Sequence, residues 1–181
     1  MIALSLQDAL VRRLEEVFGD EYTLKDKNGK EKPLRLFPQY LPRPRGIVPK
    51  KKAPGGKPEE DPEIYGPEDF EANFPCIVVK LDEGRDKEEN APDATRIDVR
   101  ILVGVYDDDP DCQGYRDVLN VLEKIRLELL THRYLERKYR LEMPFRWYLH
   151  EDQPWPVFFG QIETVWETAR VVDPGPVNSF R

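Results

Sequence analysis

Four aspartates crowd one short stretch of the chain and are the first candidates for chemistry: Asp107, Asp108, Asp109 and Asp111. In a twelve-residue EF-hand loop, calcium is bound by oxygen ligands at positions one, three and five, which Asp107, Asp109 and Asp111 would occupy here. Position six is Cys112 instead of glycine, and position twelve is Val118 instead of a bidentate glutamate. The pattern therefore favours a turn that leads into a helix, where carboxylates hydrogen-bond amides and suit the helix dipole.

The soft metal-ligand candidates are the cysteines and histidines Cys76, Cys112, His132 and His150. They are scattered along the chain, whereas structural zinc sites draw their ligands from closely spaced pairs. The sequence therefore predicts no metal centre, and it carries no motif for another cofactor.

Catalytic motifs for hydrolysis are incomplete. The only serines, Ser5 and Ser179, lie near the two ends and outside any GxSxG setting. The step Gly56-Lys57 lacks the rest of a phosphate-binding loop. These absences favour a protein that is not an enzyme.

A metal-dependent nuclease is the remote enzymatic alternative. Asp93 followed by Asp98 and Arg100 resembles, faintly, the split acidic motif of restriction-type nucleases. That chemistry needs carboxylates on separate strands and a lysine, and a fixed guanidinium is a poor proton-transfer group. The alternative interpretation is a polar strand face on which Arg96, Asp98 and Arg100 are ordinary neighbours.

Composition indicates a water-soluble domain. The chain has 181 residues, 35% of them charged, a mean hydropathy of -0.67 and a net charge of -7. One domain spanning residues 1–181 is expected at this length. No apolar run approaches the roughly 18 residues of a membrane span, and the N-terminus does not read as a signal peptide. Two cysteines favour a reducing compartment, and the negative charge weakens a general nucleic-acid role.

Hydrophobic periodicity predicts six main elements. Apolar residues recur at helical spacing over 6–18, where Ser5 is the expected N-cap, and over 113–130. Alternation or apolar runs predict strands at 76–81, 96–106, 138–149 and 158–171. In the third of these strands the predicted apolar face holds Leu141, Met143 and Trp147. This order predicts an α+β fold: a four-stranded, mainly antiparallel sheet with two helices on one face.

A long proline-rich insertion, or arm, is expected over residues 26–72. Ten of the seventeen prolines lie between Pro33 and Pro75, which makes regular structure improbable there. Its charges are segregated, with a basic half before an acidic half. The basic half contributes candidate interface residues: Arg43, Arg45, Lys50, Lys51 and Lys52. Pairing between adjacent subunits, contact with DNA and a solvated loop are the open alternatives for the arm.

An aromatic and proline-rich corner precedes the last strand. Pro154 and Pro156 cannot donate to a strand ladder, so this segment is an edge or a turn. The neighbouring aromatic residues Trp155, Phe158 and Phe159 either fold under the sheet as core or form a partner surface. They complete the set of candidate interface residues.

Two segments carry a resemblance to a known family. One runs from Ile97 through the acidic turn into the helix that starts Gln113-Gly114-Tyr115-Arg116-Asp117. The other is Glu151-Asp152-Gln153-Pro154-Trp155-Pro156 running into Phe159-Gly160-Gln161-Ile162-Glu163-Thr164. Together they resemble the tail-terminator or tail-completion proteins of long-tailed phages and prophages of Gram-positive bacteria. The similarity covers residues 74–172, and the N-terminal helix is consistent with it in position.

The resemblance implies a structural virion protein. It implies an α+β subunit that assembles into a homo-oligomeric, commonly hexameric, ring that caps the tail tube, ends its polymerisation and joins it to the head connector. The implied partners are further copies of the chain, the tail tube protein and the head–tail connector protein, with non-specific contact to DNA in the lumen. No membrane partner is implied. The implied location is the head–tail interface of the virion, and the host cytoplasm during assembly. No catalytic residues are carried over, because the family has none.

Three further functions stay open from the sequence. The nearest is another structural virion part, such as a head-completion or connector protein or a tail tube subunit. The nuclease described above is the enzymatic alternative. A nucleic-acid-binding module that uses residues 43–57 is the third.

Overall fold

A computed structural model describes residues 2–42, 71–86 and 94–169 of the chain. Its helices are α1 (Ile2–Phe18) and α2 (Gly114–Thr131). Its strands are β1 (Thr23–Lys25), β2 (Glu31–Pro33), β3 (Arg35–Pro38), β4 (Cys76–Asp86), β5 (Ala94–Tyr106), β6 (Tyr134–Leu135), β7 (Tyr139–Leu149) and β8 (Val157–Ala169). No helix within these ranges is long and apolar enough to span a membrane.

The main sheet has six strands in the order β3-β4-β5-β8-β7-β6, and β1 and β2 form a separate hairpin. Strand β3 runs parallel to β4, whereas the other neighbours are antiparallel. The predicted four-stranded, mainly antiparallel sheet with two helices on one face is therefore wrong. The predicted sheet lacks the edge strands β3 and β6. These have four and two residues, which is too few for an alternating pattern to be recognised in the sequence.

Strand β5 lies at the centre of the packing. Its alternate residues Ile97, Val99, Ile101, Val103 and Val105 are buried. The predicted period of two is confirmed at this strand, because side chains of every second residue point to the same face. Helix α2 packs against β5, β7 and β8 through residues such as Val118, Leu122 and Ile125, and α1 packs against β3 and β4.

Helix α1 begins earlier than its sequence signals indicate. It starts at Ile2, so Ser5 lies inside the helix and is not its N-cap. Ile2 and Ala3 pack against the main core, and the Tyr139 hydroxyl donates to the Ile2 carbonyl at 3.1 Å. Tertiary contacts thus extend the helix beyond the capping signal.

A second apolar cluster contains Phe74, Cys76, Val78 and Val157. The Phe74 ring lies edge-on to Phe159, with the ring centroids 5.5 Å apart. It also covers Gly104, where an added Cβ atom would overlap the Phe74 ring. A residue without a side chain is therefore required at this point of β5.

Strands β2 and β3 lie within the stretch expected to be irregular, and that expectation is wrong for residues 31–38. Pro33 and Pro38 are the last residues of their strands, and β3 is an edge strand, so neither proline removes a ladder bond from the sheet centre. Residues 43–70, which include most of the predicted arm, lie outside the described residues.

Candidate interaction surfaces

The acidic turn connects β5 to α2 and is held by its own aspartates. The Asp107 carboxylate accepts the Asp109 amide at 3.1 Å, and the Asp109 carboxylate accepts the Asp111 amide at 2.9 Å. Helix α2 has Gln113 at its N-cap without a side-chain cap bond. The carboxylates therefore bond amides of the turn and not those of the helix, which corrects the expected capping role.

The aromatic corner lies beside this turn, because the Asp107 amide donates to the Pro156 carbonyl at 2.9 Å. Gln153 fixes the corner: its amide group donates to the Phe159 carbonyl at 3.0 Å and accepts the Phe159 amide at 2.6 Å. Phe158 is buried in the main core, and Phe159 is half-buried against Phe74. Trp155 is 57% exposed, so it is the corner aromatic whose side chain is most available to a partner.

Exposed apolar side chains concentrate along one edge of the sheet. Of the eight large exposed hydrophobic residues among the described residues, five lie on β6, on β7 or in the corner: Tyr134, Met143, Trp147, Tyr148 and Trp155. Such a concentration marks a partner surface more often than scattered single residues do.

Strand β7 offers unpaired backbone groups at the same edge. Strand β6 pairs only with Tyr139 and Arg140, so nothing in the described part of the chain pairs with the outer side of β7 beyond its first residues. Pairing between β7 and β8 is irregular between Glu142 and Arg146, and Pro144 in that interval cannot donate to a ladder. The edge is therefore interrupted, which limits open-ended strand pairing.

Two residues of β7 are more exposed than the alternation predicts. The sequence predicts that Met143 and Trp147 share a buried face with Leu141, but they are 56% and 48% exposed. Met143 lies beside Pro144, in the interval where β7 and β8 do not pair regularly. Trp147 pairs with the buried Ile162 and so keeps the face of Leu141, but no strand among the described residues flanks it on the outer side of β7.

Of the five exposed residues only Trp155 is among the predicted interface residues. Tyr134 lies in a two-residue strand without a pattern, and Met143, Trp147 and Tyr148 lie in a strand whose alternation predicts core on one face and solvent on the other.

A polar cleft of about 570 Å³ lies on the sheet beside the same irregularity and is lined by residues of β4, β5, β7 and β8. Within it the Arg100 guanidinium lies 2.6 Å from the Asp82 carboxylate, and Arg85 lies 2.5 Å from Asp98. Hydrogen bonding to Asp82 raises the pKa of Arg100. Candidate nuclease residues Asp98 and Arg100 are thus each engaged by an opposite charge, and Asp93 lies outside the described residues.

The metal-ligand candidates occupy separate environments. Cys76 is buried in the second apolar cluster, where burial raises the pKa of its thiol to about 12 and keeps the thiol protonated. Cys112 is exposed on the acidic turn, and His132 lies 3.0 Å from Glu128 at the end of α2. Among the described residues no group of three or more histidine, cysteine, aspartate or glutamate side chains is arranged to hold a metal ion.

The basic interface candidates Arg43, Arg45, Lys50, Lys51 and Lys52 lie outside the described residues. The surface that the structure does describe is the edge formed by β6, β7 and the corner. No protein-family model matches the chain, and no curated protein sequence matches it significantly.

Proposed function

We propose that this chain is a structural subunit of a phage tail: a tail terminator that forms a ring, caps the tail tube and joins it to the head connector. In this role the protein binds further copies of itself, the tail tube protein and the connector protein, at the head–tail interface of the virion. The proposal starts from the resemblance of residues 97–117 and 151–164 to that family.

The observation that carries the proposal is the exposed apolar edge of the sheet. Five large apolar side chains line β6, β7 and the corner, next to backbone groups that lack a partner strand among the described residues. A monomeric protein gains nothing from exposing this edge to water, whereas an assembled subunit buries it.

The two edges of the sheet also differ from one another. One edge is the short parallel strand β3, and the other is β7 with the short strand β6. A contact between unlike surfaces repeats from copy to copy and closes a ring when the rotation allows it. A ring therefore needs two different surfaces on each copy, and this subunit is not restricted to a single edge.

The test combines a mass measurement with imaging of tail tubes. Light scattering gives the mass of the purified protein, and negative-stain microscopy shows where the protein binds on tubes of the cognate tail tube protein. A terminator gives rings, alone or on tubes, and binds at one tube end only. Incorporation along the tube would identify a tube subunit instead. A protein that stays monomeric and never binds tube ends would overturn the proposal.

A further inference from the structure

The two ends of α2 carry opposite and uncompensated charge. The helix has 18 residues, so its ends lie about 27 Å apart at 1.5 Å per residue. The acidic turn and the aromatic corner lie before its first residue, and a basic connection to β7 lies after its last residue. Each end therefore forms a distinct surface of the subunit.

The acidic corner is defined here as the turn 107–111 together with residues 151–155. It holds six carboxylates: Asp107, Asp108, Asp109, Asp111, Glu151 and Asp152. None of them forms an ion pair with a described residue, and neither segment contains lysine or arginine. Trp155 belongs to the same corner, and its side chain is exposed. The corner thus combines negative charge with one large apolar side chain.

The acidic character reaches into α2. Burial and then the charges of Asp107 and Glu31 raise the pKa of Asp117 in the first turns of the helix. The negative charge of Asp107 is therefore felt by neighbouring groups, as expected where no cation of the turn neutralises it.

The basic hairpin is defined here as residues 133–140, which contain β6 and the start of β7. Its one carboxylate, Glu136, is paired with Arg12. Arg140 is paired with Glu142 and Glu167, and Arg133 donates to the Leu141 carbonyl. Three cations, Arg133, Arg137 and Lys138, have no carboxylate partner among the described residues. Tyr134, 61% exposed, provides the apolar side chain of this surface.

We infer that neighbouring subunits contact one another head to tail, with the acidic corner of one copy against the basic hairpin of the next; this inference rests on the proposed ring. Opposite charge steers the two surfaces together and fixes their orientation, and Trp155 and Tyr134 supply apolar area that becomes buried. A second copy is the partner that fits, because both complementary surfaces lie on the same chain, at opposite ends of α2.

The experiment reverses the charge of each surface separately. One variant carries Asp108→Lys with Asp111→Lys, and another carries Arg137→Glu with Lys138→Glu. None of these four side chains forms a hydrogen bond or ion pair with another described side chain, so folding is expected to persist, as thermal unfolding will check. A control carrying Glu15→Lys with Asp20→Lys makes the same change in net charge as the lysine variant, on exposed residues of α1 and the turn after it.

Each reversed variant alone should assemble roughly tenfold or more weakly than the wild-type protein, in solution or on tube ends, while the control assembles normally. A chain carrying both reversals, and an equimolar mixture of the two reversed variants, should regain assembly because the contacts are complementary again. The neutral pair Asp108→Asn and Asp111→Asn gives an intermediate effect and replaces the lysine variant if that one does not fold.

Two outcomes overturn the inference and are distinguishable from failure of the proposed function. If the wild-type protein forms rings and both reversed variants do so equally well, the subunit contact lies elsewhere although the ring stands. The subunit contact also lies elsewhere if the chain that carries both reversals assembles no better than either singly reversed variant. If the wild-type protein neither assembles nor binds tube ends, the proposed function and the inference both fail.

Discussion

The buried carboxylate of Asp26 organises the turn between β1 and β2. It accepts the amides of Asn28 and Lys30 at 2.8 and 3.0 Å, and the Lys32 ammonium lies 2.6 Å away. The hydrogen bond from Lys32, followed by those two amides, holds the pKa of Asp26 well below its usual range. The charged carboxylate is therefore part of the folded state of this hairpin.

Substitution Asp26→Asn should lower the free energy of unfolding at neutral pH. The side-chain oxygen of asparagine can still accept the two amides of the turn, but it carries no charge to attract the Lys32 ammonium. A lowered folded-state pKa gives stability that is present above the unfolded pKa of about 3.9 and is lost as the pH falls below it. The difference between the two proteins in urea melts should therefore be constant above about pH 5 and shrink below about pH 4. Asp152→Asn is the control, at an exposed carboxylate that forms no hydrogen bond with a described residue. A difference that persists unchanged at low pH would contradict the role of the charge.

Gly104 is a second residue whose type is restricted by its neighbours. Substitution Gly104→Ala should destabilise the protein by about 1–3 kcal/mol, because the added methyl group overlaps the rigid ring of Phe74. Gly84→Ala in β4 is the matched control, since nothing lies within 4 Å of its Cβ position. Chemical denaturation measures both proteins, and equal midpoints would show that the Phe74 ring moves aside without cost.

At the scale of elements, a pair of glutamines joins α1 and β3 to β4. The side-chain amide of Gln7 donates to the Val79 carbonyl at 2.7 Å and to the Gln39 side-chain oxygen at 3.0 Å. The Gln39 side chain in turn donates to the Leu81 carbonyl at 3.1 Å and accepts the Leu81 amide at 2.9 Å. Gln39 thus continues the pairing of β3 after Pro38 has ended the strand.

Substitution Gln39→Ala should cost roughly 1–3 kcal/mol, because it leaves the part-buried Leu81 amide without a partner. Gln113→Ala is the control, since that side chain is exposed and, among the described residues, donates only to the nearby Asp111 carbonyl. Equal urea midpoints for the two variants would show that Gln39 does not stabilise the edge of the sheet.

The long elements were predictable from sequence and the short ones were not. The alternation in β5 and the periodicity of α2 place their core residues correctly, because burial of one face imposes a pattern over many residues. Strands β3 and β6 carry too few residues for a pattern and exist because longer neighbours offer them an edge. The candidate surface is only partly predictable. The prolines on either side of Trp155 indicate an edge or a turn, and so they identify this residue as a possible contact. The exposure of Met143 depends on the irregular pairing of β7 with β8 around Pro144, which is a tertiary property.

For the whole molecule, the exposed apolar edge should matter for assembly and not for folding. Substitution Trp155→Ala should leave thermal unfolding of the subunit nearly unchanged but weaken assembly at least about tenfold, because buried tryptophans dominate interface energies. Leu127→Ala removes a similarly exposed apolar side chain, 55% accessible on α2, and is the control. Sedimentation measurements of both variants provide the comparison, and equal assembly would exclude Trp155 from the interface.

The length of tail tubes grown in the presence of this protein shows whether the protein is a terminator. Tubes of the cognate tail tube protein are polymerised with increasing amounts of the chain, and their lengths and ends are measured by electron microscopy. A terminator should shorten the length distribution in proportion to its concentration and leave a ring at one end of each arrested tube. Tubes that grow to the same lengths and carry bare ends at every concentration would contradict the account.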